Sequence, residues 1–333
     1  MPADGESGDY FGRSVDIDGD TAIVGAYGDD DGANFGGAAT VLTLEDGVWV
    51  QEAKLVPDDL DSSDYAGFDV AISGDTALVT AFGDDGVASN AGAVYVFERG
   101  DDGWEQVQKL TAPDGESYDN FGRDAAIDGD TLVIGAYADD DGASGTGSAY
   151  VFQKGDDGWS MTQKLTASDG ASGDSFGIGV AIDGDQILVG AYGVDGEETG
   201  QSYTGAGYVF ELQEGTWSQT DKLTIEGSGT YTMAGFSVAL DEGTAVLGAI
   251  YDDAGHATMS GSTYVFQQSD GDWDQVAKLQ PEDADSYDLT GYSVDVSGGT
   301  VLVGSMYDDD DGTNTGSASV WRAGADGWEM VDE

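Results

Sequence analysis

Three observations predict an all-β fold, a six-bladed β-propeller of four-stranded antiparallel blades. A unit of roughly 55 residues recurs six times, each copy holds four short strand-like runs, and tight Asp/Gly turns alternate with longer acidic loops. The copies align without gaps on FGRSVDIDGDTAIVGAY from Phe11, AGFDVAISGDTALVTAF from Ala66 and FGRDAAIDGDTLVIGAY from Phe121. They continue with FGIGVAIDGDQILVGAY from Phe176, AGFSVALDEGTAVLGAI from Ala234 and TGYSVDVSGGTVLVGSM from Thr290. Successive starts are 55, 55, 55, 58 and 56 residues apart, so the copies account for nearly all of residues 1–333, taken as one propeller domain. A solenoid is disfavoured because neither shorter coils nor capping end-repeats are evident.

Within a copy the first strand alternates small and apolar residues, as from Gly12 to Asp18. A two-residue turn follows, Asp18-Gly19 or Ser73-Gly74, supplying the Gly that a tight hairpin requires. The second strand, Thr21 to Tyr27 in the first copy, is almost wholly apolar and is expected to be buried on both faces. An acidic Gly-rich loop comes next, Gly28 to Gly32 in the first copy. The third strand carries Tyr-Val-Phe at Tyr95, Tyr150, Tyr208 and Tyr264. The fourth opens with Trp and closes on Lys-Leu. Trp49, Trp104, Trp159, Trp217, Trp273 and Trp328 share that one position and are expected to be core anchors. Lys54, Lys109, Lys164, Lys222 and Lys278 also recur, and are expected to be ion-pair partners or snorkelling strand ends. The segment PADGESGDY matches the inter-repeat loop APDGESYDN, an offset that suits closure between first and last blades. A seventh blade is expected only if a further repeat lies outside this sequence.

Charge narrows the function. Ten Lys and Arg stand against 66 Asp and Glu, a net charge of −56, yet 39% of residues are hydrophobic and 10% aromatic. A disordered acidic tail lacks that apolar content, so the acids form the shell of a folded protein. Such a shell repels itself unless salt shortens the Debye length to about 3 Å at 1 M, which points to a halophilic, haloarchaeal setting. Nucleic acid is excluded as a partner for want of a basic footprint, and so is direct membrane insertion, since no apolar run approaches ~20 residues. There is no Cys, and hence no disulfide or thiolate chemistry. The start MPADGESGDY lacks the basic and apolar regions of a signal peptide. Two localisations follow as expectations: the cell surface or exterior if a leader has been removed, otherwise a virion or a complex assembled in the cytoplasm.

Phe-Gly-x-Ser-Val followed by Val-Gly-Ala resembles the FG-GAP repeat, over essentially the whole chain and closest to its bacterial and archaeal subtype. Phe-Gly is intact at Phe11, Phe121 and Phe176, whereas copies two, five and six place the aromatic after the Gly, at Phe68, Phe236 and Tyr292. The resemblance implies a propeller like the integrin α-subunit head, and recognition or adhesion rather than catalysis. The integrin calcium loop is not implied. Its place is taken by the short Asp18-Gly19-Asp20 and Asp128-Gly129-Asp130 turns, too tight to wrap a cation.

The long loops share one side of the predicted blades, and their acids are the candidate sites. Asp29, Asp31, Asp84, Asp85, Asp139, Asp141, Asp252, Asp253, Asp308 and Asp310 are hard oxygen donors of the kind that hold Ca²⁺ or Mg²⁺. Inter-blade loops add Asp59, Asp64, Asp114, Asp119 and Asp288, among others. The competing reading is that these loops hold Asp because the whole surface does. The single His256 is expected to be solvated, and Arg99-Gly100-Asp101 reads as turn chemistry because Lys154-Gly155-Asp156 replaces it one repeat later. The expected function is a non-enzymatic module that binds a protein or glycan at a cell or virion surface, with inorganic cations assisting. A structural or receptor-binding subunit of a halophilic virus particle is the alternative. A hydrolase using a carboxylate pair is third.

Overall fold

A computed structural model describes residues 5–196, 200–227, 229–253, 257–309, 312, 315–324 and 327–332. All regular structure among these is strand, and no helix is long and apolar enough to cross a membrane. The fold is all-β, in the class of six-bladed β-propellers, with every blade a four-stranded antiparallel sheet in sequence order. The blades are β1–β4 (Val15–Asp18, Thr21–Ala26, Ala38–Glu45, Val48–Leu55) and β5–β8 (Val70–Ser73, Thr76–Ala81, Ala93–Gly100, Gly103–Leu110). They continue with β9–β12 (Ala125–Asp128, Thr131–Ala136, Ser148–Gly155, Gly158–Leu165) and β13–β16 (Phe176–Asp183, Gln186–Ala191, Ala206–Gln213, Thr216–Leu223). The last two are β17–β20 (Ala234–Asp241, Thr244–Ala249, Ser262–Ser269, Asp272–Leu279) and β21–β24 (Thr290–Ser297, Thr300–Ser305, Ser317–Gly324, Gly327–Asp332). The chain forms two compact units, Met1–Asp141 with Ser148–Leu165 and Gly142–Gly147 with Thr166–Glu333, so each contains three blades.

Within each unit the core lies between consecutive blades. Ile23, Val41 and Leu55 of the first blade pack with Val79, Tyr95 and Phe97 of the second, while Leu78 and Val96 pack with Leu132, Tyr150 and Phe152 of the third. In the other unit Leu188, Val209 and Leu223 meet Leu247, Tyr264 and Phe266. The Trp position is only partly the anchor expected. Trp159 and Trp217 are buried, Trp104, Trp273 and Trp328 are half-buried against their cores, and Trp49 is exposed.

The two motif glycines explain each other. Gly25, from Val-Gly-Ala, lies so close to the next blade's Gly67 that a Cβ on it would stand 2.1 Å from the Gly67 carbonyl oxygen. Gly190 and Gly235 repeat the approach, as do Gly248 and Gly291. Blade contact at backbone distance needs glycine at that point. At the tight-hairpin end, Asp18 Oδ2 accepts the Gly74 N–H at 2.7 Å, and Asp183 and Asp241 accept those of Glu242 and Gly298 at the same distance. These three Asp each tie one hairpin to the next.

A bulge sets the geometry of the opposite end. In each blade the pairing of third and fourth strands slips by one residue, as between Val96 and Phe97. Arg99 then faces Trp104, Phe97 faces Gln106 and Tyr95 faces Lys109. Trp104 and Lys109, an odd number of residues apart, thereby share one sheet face. Arg99 stacks over Trp104, with Cζ 4.8 Å from the ring centroid, and its Nη2 lies 3.1 Å from Glu52, so this Arg-Gly-Asp is a strand end folded inward.

Candidate functional site

The loop between the second and third strands and the connection entering the blade lie at the same end of each sheet, and the recurrent Lys reaches that end. In the second blade Lys109 Nζ sits 2.7 Å from Asp84 and 2.8 Å from Asp59, and the Tyr95 hydroxyl donates to Asp84 at 2.9 Å. The third blade repeats this. Lys164 bridges Asp114 and Asp139, each at 2.8 Å, and Asp141 at 2.5 Å, while the Tyr150 hydroxyl lies 2.8 Å from both Asp114 and Asp139 and donates its one proton to either. In the first blade Lys54 pairs with Asp29 and Asp31, at 2.7 and 2.6 Å. In the fifth Lys278 pairs with Asp252 at 2.7 Å, and the Tyr264 hydroxyl donates to the same carboxylate at 2.6 Å.

Electrostatics follow from this packing. Burial alone would raise the carboxyls of Asp59 and Asp114, but the ammonium and phenol groups beside them win and hold both below the usual range. Burial works against the charge of Lys109 and Lys164, yet the surrounding carboxylates push both upward. Burial, then the adjacent carboxylates, push the Tyr95 and Tyr150 hydroxyls up as well. In the second and third blades the Lys joins an acid of the long loop to one of the connection entering the blade, an arrangement that locks two loops together.

A second set of acids holds the turns. Asp9, Asp64, Asp119, Asp174 and Asp288 are buried, and each accepts the backbone N–H three residues earlier, at 2.5 to 2.7 Å. Desolvation dominates over that hydrogen bond: it raises Asp64 to about 6 and shifts Asp119, Asp174 and Asp288 in the same direction. The residue after each such Asp has a left-handed backbone, for example Tyr65 at φ 60° and Asn120 at φ 56°. Tyr65 N–H donates to the Phe35 carbonyl at 3.1 Å and Asn120 N–H to that of Asn90 at 3.2 Å, stitching each long loop to the connection that follows.

The acids expected as Ca²⁺ or Mg²⁺ ligands thus fall into place individually. Asp29, Asp84, Asp139 and Asp252 carry a lysine ammonium, as do Asp31 and Asp141. Asp85 accepts the Asn90 N–H at 2.6 Å and Asp253 that of Met259 at 2.7 Å. Asp308 accepts the Ser317 hydroxyl at 2.5 Å. Asp310 and His256 lie outside the described residues. Among the described residues no three carboxylates or imidazoles are gathered as a metal site. In four blades a Lys Nζ lies 2.5 to 2.8 Å from one or more of these carboxylates.

The fourth blade departs from the pattern. Val194 stands where the other loops carry Asp29, Asp84 or Asp139, and Gly196 where they carry Asp31 or Asp141. Val194 keeps the backbone role, its carbonyl accepting the Gly205 N–H at 3.0 Å as the Asp84 carbonyl accepts that of Gly92. Lys222 retains Asp169, at 2.6 Å, which also accepts the Tyr208 hydroxyl at 2.9 Å. Beside them is a cavity of about 270 Å³, lined by Asp169, Asp174, Val194, Asp195, Tyr203 and Lys222 with small neighbours.

The sequence reading passed over a feature of the first two blades. Tyr10, Tyr27, Phe35, Tyr65, Phe68 and Phe82 form a connected ring cluster at the long-loop end, and none of them is buried. Tyr10 stacks on Tyr27 at 4.8 Å and Tyr65 on Phe82 at 5.4 Å, both within 10° of parallel. Arg13 and Arg123 place Cζ 4.4 and 4.6 Å from the Phe68 centroid. Tyr10 and Phe35 are 56% and 39% exposed, on backbones at φ 54° and 53°. The third repeat holds Gly145 at the Phe35 position, the residue such a backbone favours. The signal available in the sequence was the aromatic at a position where the second and third repeats carry Asn90 and Gly145 and the fourth carries Tyr203.

A search of curated proteins returns no match. A comparison with protein families matches the FG-GAP repeat six times, over residues 1–42, 49–97, 104–152, 159–210, 217–266 and 273–321. The last five spans are offset from the blades by one strand, each running from a Trp position to the third strand of the following blade, and the first ends in the third strand of the first blade. Together with the paired motif glycines they establish that the chain belongs to the FG-GAP repeat family.

Proposed function

We propose that this protein is a non-enzymatic recognition module of a halophilic system, which binds a protein or glycan at a cell or virion surface through the long-loop ends of its blades. The observation that carries this reading is the unburied six-ring cluster of the first two blades. A connected patch of two exposed and four half-buried rings on an otherwise acidic chain marks an interaction surface. Three of them, Tyr10, Phe35 and Tyr65, sit on left-handed backbone that the other blades share, so the aromatic side chain is what distinguishes these positions. The clustered carboxylates are held by lysine and backbone donors, and the exposed rings of Tyr10 and Phe35 are the groups that meet a partner. Inorganic cations act as screening counter-ions around the charge of −56 rather than as ligands.

The test is retention of the chain on a halophilic cell-envelope preparation, compared with a Tyr10→Ala/Phe35→Ala variant. Both side chains are exposed, so the variant keeps its fold. Retention should fall at least about tenfold. Equal retention of the variant would remove the ring cluster from the binding surface. Virion association that requires the same rings would instead favour a subunit of an assembled particle.

A further inference from the structure

We propose that the cavity in the fourth blade is a binding site for a single ring of a neutral sugar. This deepens the recognition reading above and rests on it. The cavity exists where the repeat's own lock is missing: Val194 and Gly196 replace two Asp positions that in the first and third blades bind the Lys. Lys222 Nζ then has Asp169 as its ion-pair partner, whereas Lys164 has three carboxylates. An ammonium has three N–H donors, and the cavity is where the remaining ones can be used.

The lining combines opposite hydrogen-bonding roles with an aromatic wall. Lys222 supplies donors, Asp169, Asp174 and Asp195 supply acceptors, and Ser172 and Ser202 border the same space with hydroxyls that do either. Tyr203 lines the cavity, 39% exposed, and Tyr231 stacks on it with centroids 5.6 Å apart and planes 12° from parallel. Both sit on left-handed backbone, φ 54° and 62°. The pair is held from behind: Tyr203 N–H donates to Asp195 at 3.0 Å, and Tyr231 N–H to the Ser202 carbonyl at 2.7 Å. Adjacent hydroxyls that both give and accept, above a ring whose C–H face lies flat on an aromatic, are the chemistry of a pyranose. The volume of about 270 Å³ is at the small end of ligand sites, which begin near 300 Å³, and suits one ring rather than an extended ligand. Three carboxylates against one ammonium disfavour an anionic ligand, and the aromatic wall beside mixed donors and acceptors favours a polyhydroxyl ring over a small cation. Neutral hydroxyl chemistry is what remains.

The probes are the methyl glycosides of glucose, galactose, mannose and N-acetylglucosamine, observed by saturation-transfer NMR at about 2 M KCl, a salt level that screens the acidic shell. At least one should receive saturation, with a dissociation constant on the order of 1 mM. Val194→Asp restores the residue used elsewhere in the repeat, so it keeps the fold, and it gives Lys222 a second carboxylate that occupies its remaining donors. It should weaken binding at least tenfold, and Tyr203→Ala should do the same. Two results overturn the proposal: no saturation of any neutral glycoside, or undiminished binding by Val194→Asp. Binding of glucosamine or glucuronate alone, with the neutral sugars silent, also overturns it by assigning the cavity to a charged ligand. Retention of the Val194→Asp chain on cell envelopes separates the two ideas, because loss of the sugar site leaves the ring cluster of the first two blades intact.

Discussion

At the residue scale, the recurrent Lys is the group that makes the acidic loops tolerable. Asp139 is almost fully buried, and its neutral partner Tyr150 cannot by itself offset a desolvated carboxylate. Lys164→Met should therefore cost about 2–3 kcal/mol in chemical denaturation at high salt, and adding Asp139→Asn should recover roughly half of that loss. The buried turn-capping acids predict the pH dependence. Asp64 titrates at about 6 in the folded chain against 3.8 as its ordinary value, so the native state retains a proton that the unfolded chain releases between them. Its stabilising share is present below the lower value and is lost as pH rises through the higher one. Asp119, Asp174 and Asp288 act in the same direction, while Asp59, Asp114 and Asp169, held low, withdraw stability only below 3.8. The melting temperature should consequently rise as pH is lowered from about 7.5 to about 5 at fixed salt, and Asp64→Asn should flatten part of that rise. A melting temperature that falls over this window would refute the assignment.

At the element scale, stability depends on how closely consecutive blades approach. Gly25→Ala sets a methyl group 2.1 Å from the Gly67 carbonyl oxygen and should cost about 3 kcal/mol, because backbone must move. Gly19→Ala meets open space and should cost only about 1 kcal/mol, the penalty of its left-handed backbone. Parallel thermal melts of the two variants check the difference. The strand order and the tight turns were readable from the sequence because Asp18-Gly19 and its equivalents have one economical conformation. Burial at the Trp position was not, since Trp49 and Trp159 occupy the same register and differ only in what the neighbouring strand places over them. The lysine lock was half readable. Ion pairing followed from composition, but the strand bulge that puts Lys109 on the face of Tyr95 is a pairing irregularity with no residue signature. Without it, the loop acids looked like metal ligands.

At the scale of the whole molecule, a charge of −56 coexists with an internal set of cations, one Lys in each of five blades. The two populations of charge respond differently. Exposed acids repel one another and are screened by salt, so stability should climb steeply as KCl is raised towards about 3 M. The lysine-centred clusters are partly buried and should respond little to salt. Five lysines at one repeat position could be seen in the sequence; what they neutralise could not, because it lies on loops brought together only by the sheet. The most direct test of this account is a thermal melt in about 3 M KCl with EDTA, and again with added Ca²⁺. The account predicts the same melting temperature in both, since the ammonium groups already occupy the positions a calcium ion would take. A rise of several degrees with Ca²⁺, reversed by EDTA, would contradict it and show that the loop acids bind metal in preference to lysine.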